Sequence, residues 1–202
     1  MIGIYGGSFN PIHLGHLETA TSLKAELKLD HLFLVPCCIP VHKDELKFSS
    51  TERLQMIKIA LESYPSIELD EREINRGGKS FTIDTLNELK SIYTDSPICL
   101  IIGMDSYLSI KSWKDWKKFS RLAHLVVLKR EGYNGENVLL ESFQKTSDAD
   151  QLKSQQNGLL FFSNTPLIEV SSSDIRNKIS ANQNLDNLLP QNIIDYLQLN
   201  ES

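Results

Sequence analysis

The sequence predicts a doubly wound α/β fold built on a parallel sheet. Short apolar runs suited to buried parallel strands recur along the 202 residues, and amphipathic helical patterns separate them. Strands that alternate with helices form βαβ units, whose right-handed crossovers put helices on both faces of the sheet. We therefore expect a Rossmann-like fold, in which ligands bind at the carboxyl ends of the strands.

The predicted elements alternate along the chain as βαβ units require. Strands are predicted at residues 1–5, 32–36, 67–69, 98–102, 125–128 and 159–162. Helices are predicted at residues 18–27, 51–63, 83–92 and, from a weaker pattern, 113–122, and a helical segment is expected near the C-terminus. We expect one domain over residues 1–202. Its polar stretch 131–158 is interpreted as a surface insertion, with a helix at 138–144, and as the candidate contact region of a homo-oligomer.

Composition and charge narrow the classes of function. A formal charge of −5 and a pI near 5.6 argue against a nucleic-acid or membrane-surface partner, which would leave a basic footprint. No apolar run approaches the ~20 residues that span a bilayer, and no basic region of a signal peptide precedes the first strand, so we expect a cytoplasmic protein. Cys37, Cys38 and Cys99 fit a reducing compartment and are interpreted as structural, because they lack metal-site spacing.

The first stretch of the chain that indicates a functional site is residues 6–16, GGSFNPIHLGH. Glycines at the end of the first strand are expected to allow a sharp turn, and His13 and His16 stand three residues apart at the start of a helix. A helix start carries unpaired N–H groups and the positive end of the dipole, both of which favour phosphate. The alternatives are a plain glycine turn, a metal pair or two surface histidines. The stretch does not match the dinucleotide pattern G-x-G-x-x-G, which disfavours a dehydrogenase.

Residues 6–16 resemble the signature of the nucleotidylyltransferase superfamily, G-G-S/T-F-D-P-x-H-x-G-H, in its bacterial nicotinate mononucleotide adenylyltransferase branch. Asn10 stands where the signature has Asp, which keeps a turn-capping side chain but removes a charge. The resemblance implies that ATP and nicotinate mononucleotide react to give nicotinate adenine dinucleotide and pyrophosphate. It implies that His13 and His16 meet the α-phosphate. The residues of this loop expected to bind ATP are Gly6, Gly7, Ser8 and Phe9.

Two further motifs resemble the ATP side of the family site. Gly103 and Asp105 follow the fourth strand and resemble its G-x-D, whose carboxylate can accept from ribose hydroxyls, although a simple helix cap is the alternative. The stretch 169–176, EVSSSDIR, is similar to I-S-S-T-x-I-R. There Ser172, Ser173 and Arg176 are expected to hold the β and γ phosphates, with a serine cap and a solvated arginine as the alternative.

The remaining motifs resemble the mononucleotide side. Residues 37–43, CCIPVHK, are similar to the P-P-H-K/R loop, where His42 and Lys43 would meet phosphate. Residues 80–85, SFTIDT, resemble S-Y-T-x-x-T, whose backbone near Thr82 receives the pyridine carboxylate. Trp113 matches a tryptophan that stacks on the pyridine ring, with core packing as the alternative reading of the residue itself. Residues 129–132, KREG, resemble the family motif K-R-P-G, in which Arg130 would be the cation that meets a phosphate or carboxylate.

The remaining points of the sequence concern a second glycine-rich stretch, the expected metal ion and the alternative functions. Residues 76–80, RGGKS, lack the spacing of a Walker A phosphate loop and are not interpreted as one. Mg²⁺ is expected, held mainly by substrate phosphates, because the sequence contains no evident protein cage for it. The alternatives are an adenylyltransferase acting on nicotinamide mononucleotide or phosphopantetheine, and a nucleotide sensor that binds ATP without releasing pyrophosphate.

Overall fold

The chain forms one seven-stranded parallel sheet flanked by helices. The computed structural model describes residues 1–41, 46–129, 138, 140–166, 168 and 170–200. The strands are β1 Ile2–Gly7, β2 His31–Pro36, β3 Glu68–Leu69, β4 Ile98–Gly103, β5 His124–Leu128, β6 Gln144–Thr146 and β7 Leu159–Ser163. Their order is β3-β2-β1-β4-β5-β7-β6, and every neighbouring pair is parallel. This confirms the predicted doubly wound α/β fold, with the order reversing between β1 and β4.

Helices connect the strands. They are α1 Leu14–Glu26, α2 Ser50–Leu61, α3 Arg72–Arg76, α4 Thr82–Ile92, α5 Met104–Ser109, α6 Gln151–Ser154, α7 Ser172–Ser180 and α8 Gln191–Asn200, with 3₁₀ turns at Ile110–Ser112 and Trp116–Arg121. The weak helical pattern over residues 113–122 is thus wrong as an α-helix. Asp115, with a left-handed φ of 55°, interrupts that segment after Trp113.

The central strands of the sheet are largely apolar because both faces of the sheet are covered there. Alternate side chains of β4 belong to opposite layers, with Cys99 and Ile101 in one apolar cluster and Ile98, Leu100 and Ile102 in the other. The first cluster includes buried residues of α1, α2, α7 and α8, and the second includes those of α4 and α5. Within the described part of the chain, no helix combines the length and apolarity needed to cross a bilayer.

The stretch 131–158 is more integrated than the predicted surface insertion. Residues 131–137 and 139 lie outside the described residues, but Gln144–Thr146 forms the edge strand β6 and pairs with β7. The predicted helix at 138–144 is wrong for the residues that are described, because residues 140–143 are not helical and Gln144 begins a strand. Leu140 and Leu152 are buried in the two cores. This edge of the sheet is therefore part of the packed fold.

Candidate active site

The loop that follows β1 turns at Phe9 and not at the glycines. The predicted glycine turn is wrong in this detail, because Gly6 and Gly7 close the strand and the left-handed backbone, with φ of 43°, lies at Phe9. Gly7 is required for space, since a Cβ there would lie 3.0 Å from the buried ring of Phe9. A Cβ at Gly6 would meet no atom within 4 Å, so that side of the strand end is open to a ligand.

His13 lies at the start of α1 as a buried, neutral ring. Its Nδ1 accepts a hydrogen bond from the backbone N–H of His16 at 3.3 Å, and the residue is the N-cap of the helix. A nitrogen that accepts from an amide carries no proton, so the neutral ring has its proton on Nε2. Burial lowers the pKa of His13 to about 4. At neutral pH the side chain therefore offers one uncharged Nε2–H donor.

His16 completes the pair one turn into the helix. The two imidazoles stack with their centroids 3.6 Å apart and their planes 23° from parallel. The edges of Phe9 and Tyr5 approach the His16 ring at centroid distances of 5.1 and 6.3 Å. Because aromatic rings enclose it on three sides, His16 has little freedom to change its orientation.

The N–H groups at the start of α1 are less available than the sequence suggests. Leu14 donates its N–H to the carbonyl of Leu188 at 3.0 Å, and His16 donates to the carbonyl of His13 at 2.9 Å. An anion at this helix start would therefore be met by the dipole and the two imidazoles more than by these two amides.

The last motif lies directly against the first loop. Arg176 donates through Nη1 to the carbonyl of Asn10 at 2.9 Å, a contact between residues 166 positions apart in the chain. Ser172 donates its hydroxyl to the carbonyl of Pro11 at 3.3 Å. Arg176 also donates through Nη2 to the hydroxyl of Ser173, and a guanidinium has five N–H donors, so others are left for a phosphate. The two end motifs are thus in direct contact.

Asp105 stands at the neighbouring strand end. It is exposed in the first turn of α5, and a Cβ added to Gly103 would lie 2.7 Å from its Oδ1. The side chain makes no helix cap, and Gly103 takes the N-cap position. Burial and, secondarily, the charge of Asp105 raise the pKa of Tyr5, which ends in the same region from β1. A carboxylate acceptor therefore lies at the order reversal of the sheet.

A short ribbon forms between the segments that follow β2 and α3. Ile39 donates its N–H to the carbonyl of Gly78 at 3.2 Å, and Ser80 donates its N–H to the carbonyl of Ile39 at 3.0 Å. Gly77 and Gly78 have left-handed φ angles of 72° and 68°, which a side chain would disfavour. The RGGKS sequence is therefore a turn that pairs with the loop after β2.

Thr82 and Trp113 lie on adjacent segments beyond that ribbon. Thr82 begins α4, which the side chain of Phe81 does not cap. Trp113 is half-buried and meets the Phe119 ring edge to face, with centroids 6.3 Å apart. The neighbouring Lys114 places its Nζ 4.4 Å above the ring of Phe81. One portion of the tryptophan packs on the core and the other remains accessible, so stacking on a pyridine ring stays a prediction.

Three of the predicted site residues cannot be compared with the structure. His42, Lys43 and Arg130 lie outside the described residues. Among the residues that the structure does describe, no group of three or more His, Cys, Asp or Glu side chains is arranged to hold a metal ion.

Arg53 is an important residue of the site that sequence reasoning missed. Its guanidinium is 1% exposed and donates to the carbonyl of Ser8 at 2.7 Å and to those of Cys37 and Cys38 at 2.7 and 3.0 Å. It therefore ties the loop after β1 to the loop after β2. The available signal was its position on the buried stripe of α2, with Met56, Ile57 and Ala60.

Asn10 also has a structural task that the sequence did not assign. Its Oδ1 accepts the backbone N–H of Phe48 at 3.1 Å, and the side chain is buried. The amide thus fixes the first loop to the segment that leads into α2, a contact that needs an acceptor but no charge.

The chain is similar to a protein family and to individual proteins of known sequence. The family model described as cytidylyltransferase-like matches residues 4–178. A protein of Vesicomyosocius okutanii named "Probable nicotinate-nucleotide adenylyltransferase" is 41% identical over 197 residues, which cover 98% of this chain and 93% of the relative. A protein of the same name from Psychromonas ingrahamii is 36% identical, covering 98% of this chain and 94% of its own length.

Solved structures show the same fold at lower identity. The nicotinic acid mononucleotide adenylyltransferase of Plasmodium falciparum, complexed with NaAD, superposes with a TM-score of 0.72 at 18% identity. The superposition covers 99% of this chain and 96% of that one. The likeness supports the architecture of the sheet and its helices.

Proposed function

Because this chain belongs to the cytidylyltransferase-like family, and its full-length relatives are named nicotinate-nucleotide adenylyltransferases, we propose that it transfers the adenylyl group of ATP to nicotinate mononucleotide. The products are nicotinate adenine dinucleotide and pyrophosphate, which makes the reaction a step of NAD biosynthesis. The mononucleotide phosphate attacks the α-phosphorus directly, without a covalent enzyme intermediate.

The observation that carries the proposal is the contact between the first loop and α7. The guanidinium of Arg176 and the hydroxyl of Ser172 both bond to the loop that precedes the stacked histidines. A triphosphate lying across this contact would meet the imidazoles at its α-phosphate and the α7 side chains at its β and γ phosphates. That division matches a reaction that breaks the bond between the α and β phosphates.

The proposed chemistry needs positioning more than it needs a strong base. A phosphate monoester has a second pKa of about 6, so its oxygen is largely ionised at neutral pH. The main barrier is then the approach of two anions in line, together with the charge that develops on the α-phosphate and the leaving pyrophosphate. His13 would donate its Nε2–H and His16 a second hydrogen bond to the α-phosphate, while Arg176 stabilises the leaving group. A neutral donor such as His13 can serve without giving up its proton.

The other ATP contacts in the proposal come from the strand ends. Gly6, Gly7, Ser8 and Phe9 line the α-phosphate side, and Ser173 lies beside Arg176 on the pyrophosphate side. Gly103 and Asp105 would receive the ribose of the adenosine.

The mononucleotide is proposed to lie over the ribbon beside β2. The start of α4 at Thr82 would receive the pyridine carboxylate, Trp113 would stack on the pyridine ring, and His42, Lys43 and Arg130 would meet the phosphate. The position of Lys114 over Phe81 supports this arrangement, because it holds the Trp113 segment against the start of α4.

Mg²⁺ fits the proposed site as a partner of the phosphates. Mg²⁺ prefers oxygen ligands and commonly takes one or two carboxylates together with substrate phosphates. The oxygens of the substrate phosphates would supply most of its ligands, and the hydroxyls of Ser172 and Ser173 lie on the side proposed for the β and γ phosphates. The ion would neutralise charge on the phosphate oxygens when bound.

A cytoplasmic location belongs to the proposal. In the part of the chain that the structure describes, Cys37, Cys38 and Cys99 form no disulfide bond, as expected in a reducing compartment. A homo-oligomer that forms through residues 131–158 stays a prediction.

A pyrophosphate-release assay tests the function. With ATP and Mg²⁺, we expect release with nicotinate mononucleotide and much less with nicotinamide mononucleotide or phosphopantetheine. Release that is faster with one of the other acceptors would reassign the substrate. ATP binding without release for any acceptor would support the nucleotide sensor and contradict the proposal.

A further inference from the structure

A buried carboxyl group lies behind the proposed mononucleotide site and has no part in the chemistry described so far. Glu73, in α3, is 8% exposed, and its Oε1 accepts the hydroxyl of Thr85 at 2.6 Å. Burial raises the pKa of Glu73, whereas the nearby side chains of Thr85 and Ser80 lower it. The carboxylate therefore lies beside two hydroxyls, that of Ser80 in the ribbon and that of Thr85 in α4.

Each of these hydroxyls also accepts a hydrogen bond from a neighbouring N–H group. The Ser80 hydroxyl accepts the backbone N–H of Cys38 at 2.9 Å, and the Thr85 hydroxyl accepts Nη2 of Arg76 at 3.0 Å. A hydroxyl has one hydrogen to donate, and because each of these hydroxyls already accepts an N–H group, its own hydrogen is available to the Glu73 carboxylate. The carboxylate thus sets the direction of both hydroxyls and links Cys38, in the loop after β2, to the first turns of α4.

We propose that Glu73 is a positioning residue for the mononucleotide, which it serves by holding the loop after β2 against the start of α4 through Ser80 and Thr85. The inference rests on the proposed function, because these are the two segments assigned to the pyridine nucleotide. Glu73 itself makes no described contact with the first loop or with α7, so its direct effect is expected on the segments assigned to the mononucleotide.

The variant Glu73→Gln tests the inference while keeping the size of the side chain. The amide replaces one acceptor oxygen of the carboxylate by an NH₂ donor and removes its charge, so hydrogen bonding to the two hydroxyls is weaker. Losing one hydrogen bond to a charged group weakens the arrangement by an amount that corresponds to roughly a tenfold change in binding. We expect the KM for nicotinate mononucleotide to rise about tenfold, with kcat and the KM for ATP within about twofold of the wild-type values.

Glu88→Gln is the matched control. Glu88 bonds to the same Arg76 at 2.6 Å, but its side chain is 43% exposed and has no bond to Ser80 or Thr85. This variant should leave both KM values unchanged. Equal rises in both KM values in Glu73→Gln, or an unchanged KM for the mononucleotide, would overturn the inference.

Two further measurements test the connection itself. A double-mutant cycle compares KM values, and amide hydrogen exchange in the ligand-free protein does not depend on the identity of the substrate. Ser80→Ala should reproduce part of the KM effect, and the combination with Glu73→Gln should add little, because both changes break the same connection. In the ligand-free protein, amide exchange in residues 37–41 should be faster in Glu73→Gln than in Glu88→Gln. Equal exchange would refute the connection even if the wild type proved inactive, whereas inactivity of the wild type alone would refute only the proposed function.

Discussion

Replacing His13 by asparagine should make stability less dependent on pH. Asparagine keeps an oxygen that can cap α1, so the substitution removes the titrating ring with little loss of the cap. In the wild type, burial holds the pKa of His13 at about 4, against an ordinary value of 6.5. The unfolded chain therefore takes up a proton at a pH where the folded protein does not.

The expected size follows from the linkage between protonation and folding. The contribution of the neutral ring is fully present above pH 6.5 and is lost as the pH falls through about 4. At about 1.4 kcal/mol per pH unit, the total loss is roughly 3 kcal/mol. Between pH 7.5 and 5.5 the wild type should lose about 1.3 kcal/mol more than His13→Asn does.

Urea unfolding of both proteins at the two pH values measures this difference. Other titrating groups, such as the buried His124, contribute equally to both proteins and cancel in the comparison. If the two free energies of unfolding fall in parallel between pH 7.5 and 5.5, His13 is not held in a neutral, buried state, and its assignment as an uncharged Nε2–H donor is wrong.

Three further substitutions separate the roles assigned to the site. His16→Ala should lower kcat by about a hundredfold or more in a folded protein, because one transition-state donor is lost; an unchanged kcat would remove His16 from the mechanism. Trp113→Ala should raise the KM for the mononucleotide far more than the KM for ATP, and equal effects would argue against stacking. Arg53→Lys should lower the free energy of unfolding by about 1.5–3 kcal/mol, because an ammonium cannot reach all three carbonyls that the guanidinium holds. If urea unfolding gave Arg53→Lys the same free energy of unfolding as the wild type, those hydrogen bonds would contribute little to stability.

The architecture was predictable where burial on both faces dictates sequence. β4 and β5 contain continuous apolar runs, at 98–102 and 125–128, because their side chains alternate between the two cores, and such runs are recognisable without any partner strand. β6 gives no comparable signal. Its residues Gln144 and Lys145 are exposed, and only pairing with β7 makes the segment a strand.

The site was predictable only as separate motifs. The histidine pair and the serine-rich helix start each match a family pattern, but nothing local indicates that the carbonyl of Asn10 lies 2.9 Å from Arg176. The tasks of Arg53 and Glu73 were equally hidden, because a buried charge can be recognised only when the groups that satisfy it are known. These contacts depend on packing between residues far apart in the sequence, which hydrophobic periodicity does not predict.

The dependence of the first loop on residues far along the chain bears on how the protein is made. A ribosome releases β1 and α1 early, yet Leu188, whose carbonyl accepts the N–H of Leu14, is translated much later than they are. A nascent or prematurely terminated chain that stops before α7 already contains every strand of the sheet but lacks the arginine and the serines beside the first loop. Such a fragment would lack the side chains proposed to hold the β and γ phosphates, so we expect adenylyl transfer only after α7 has been translated.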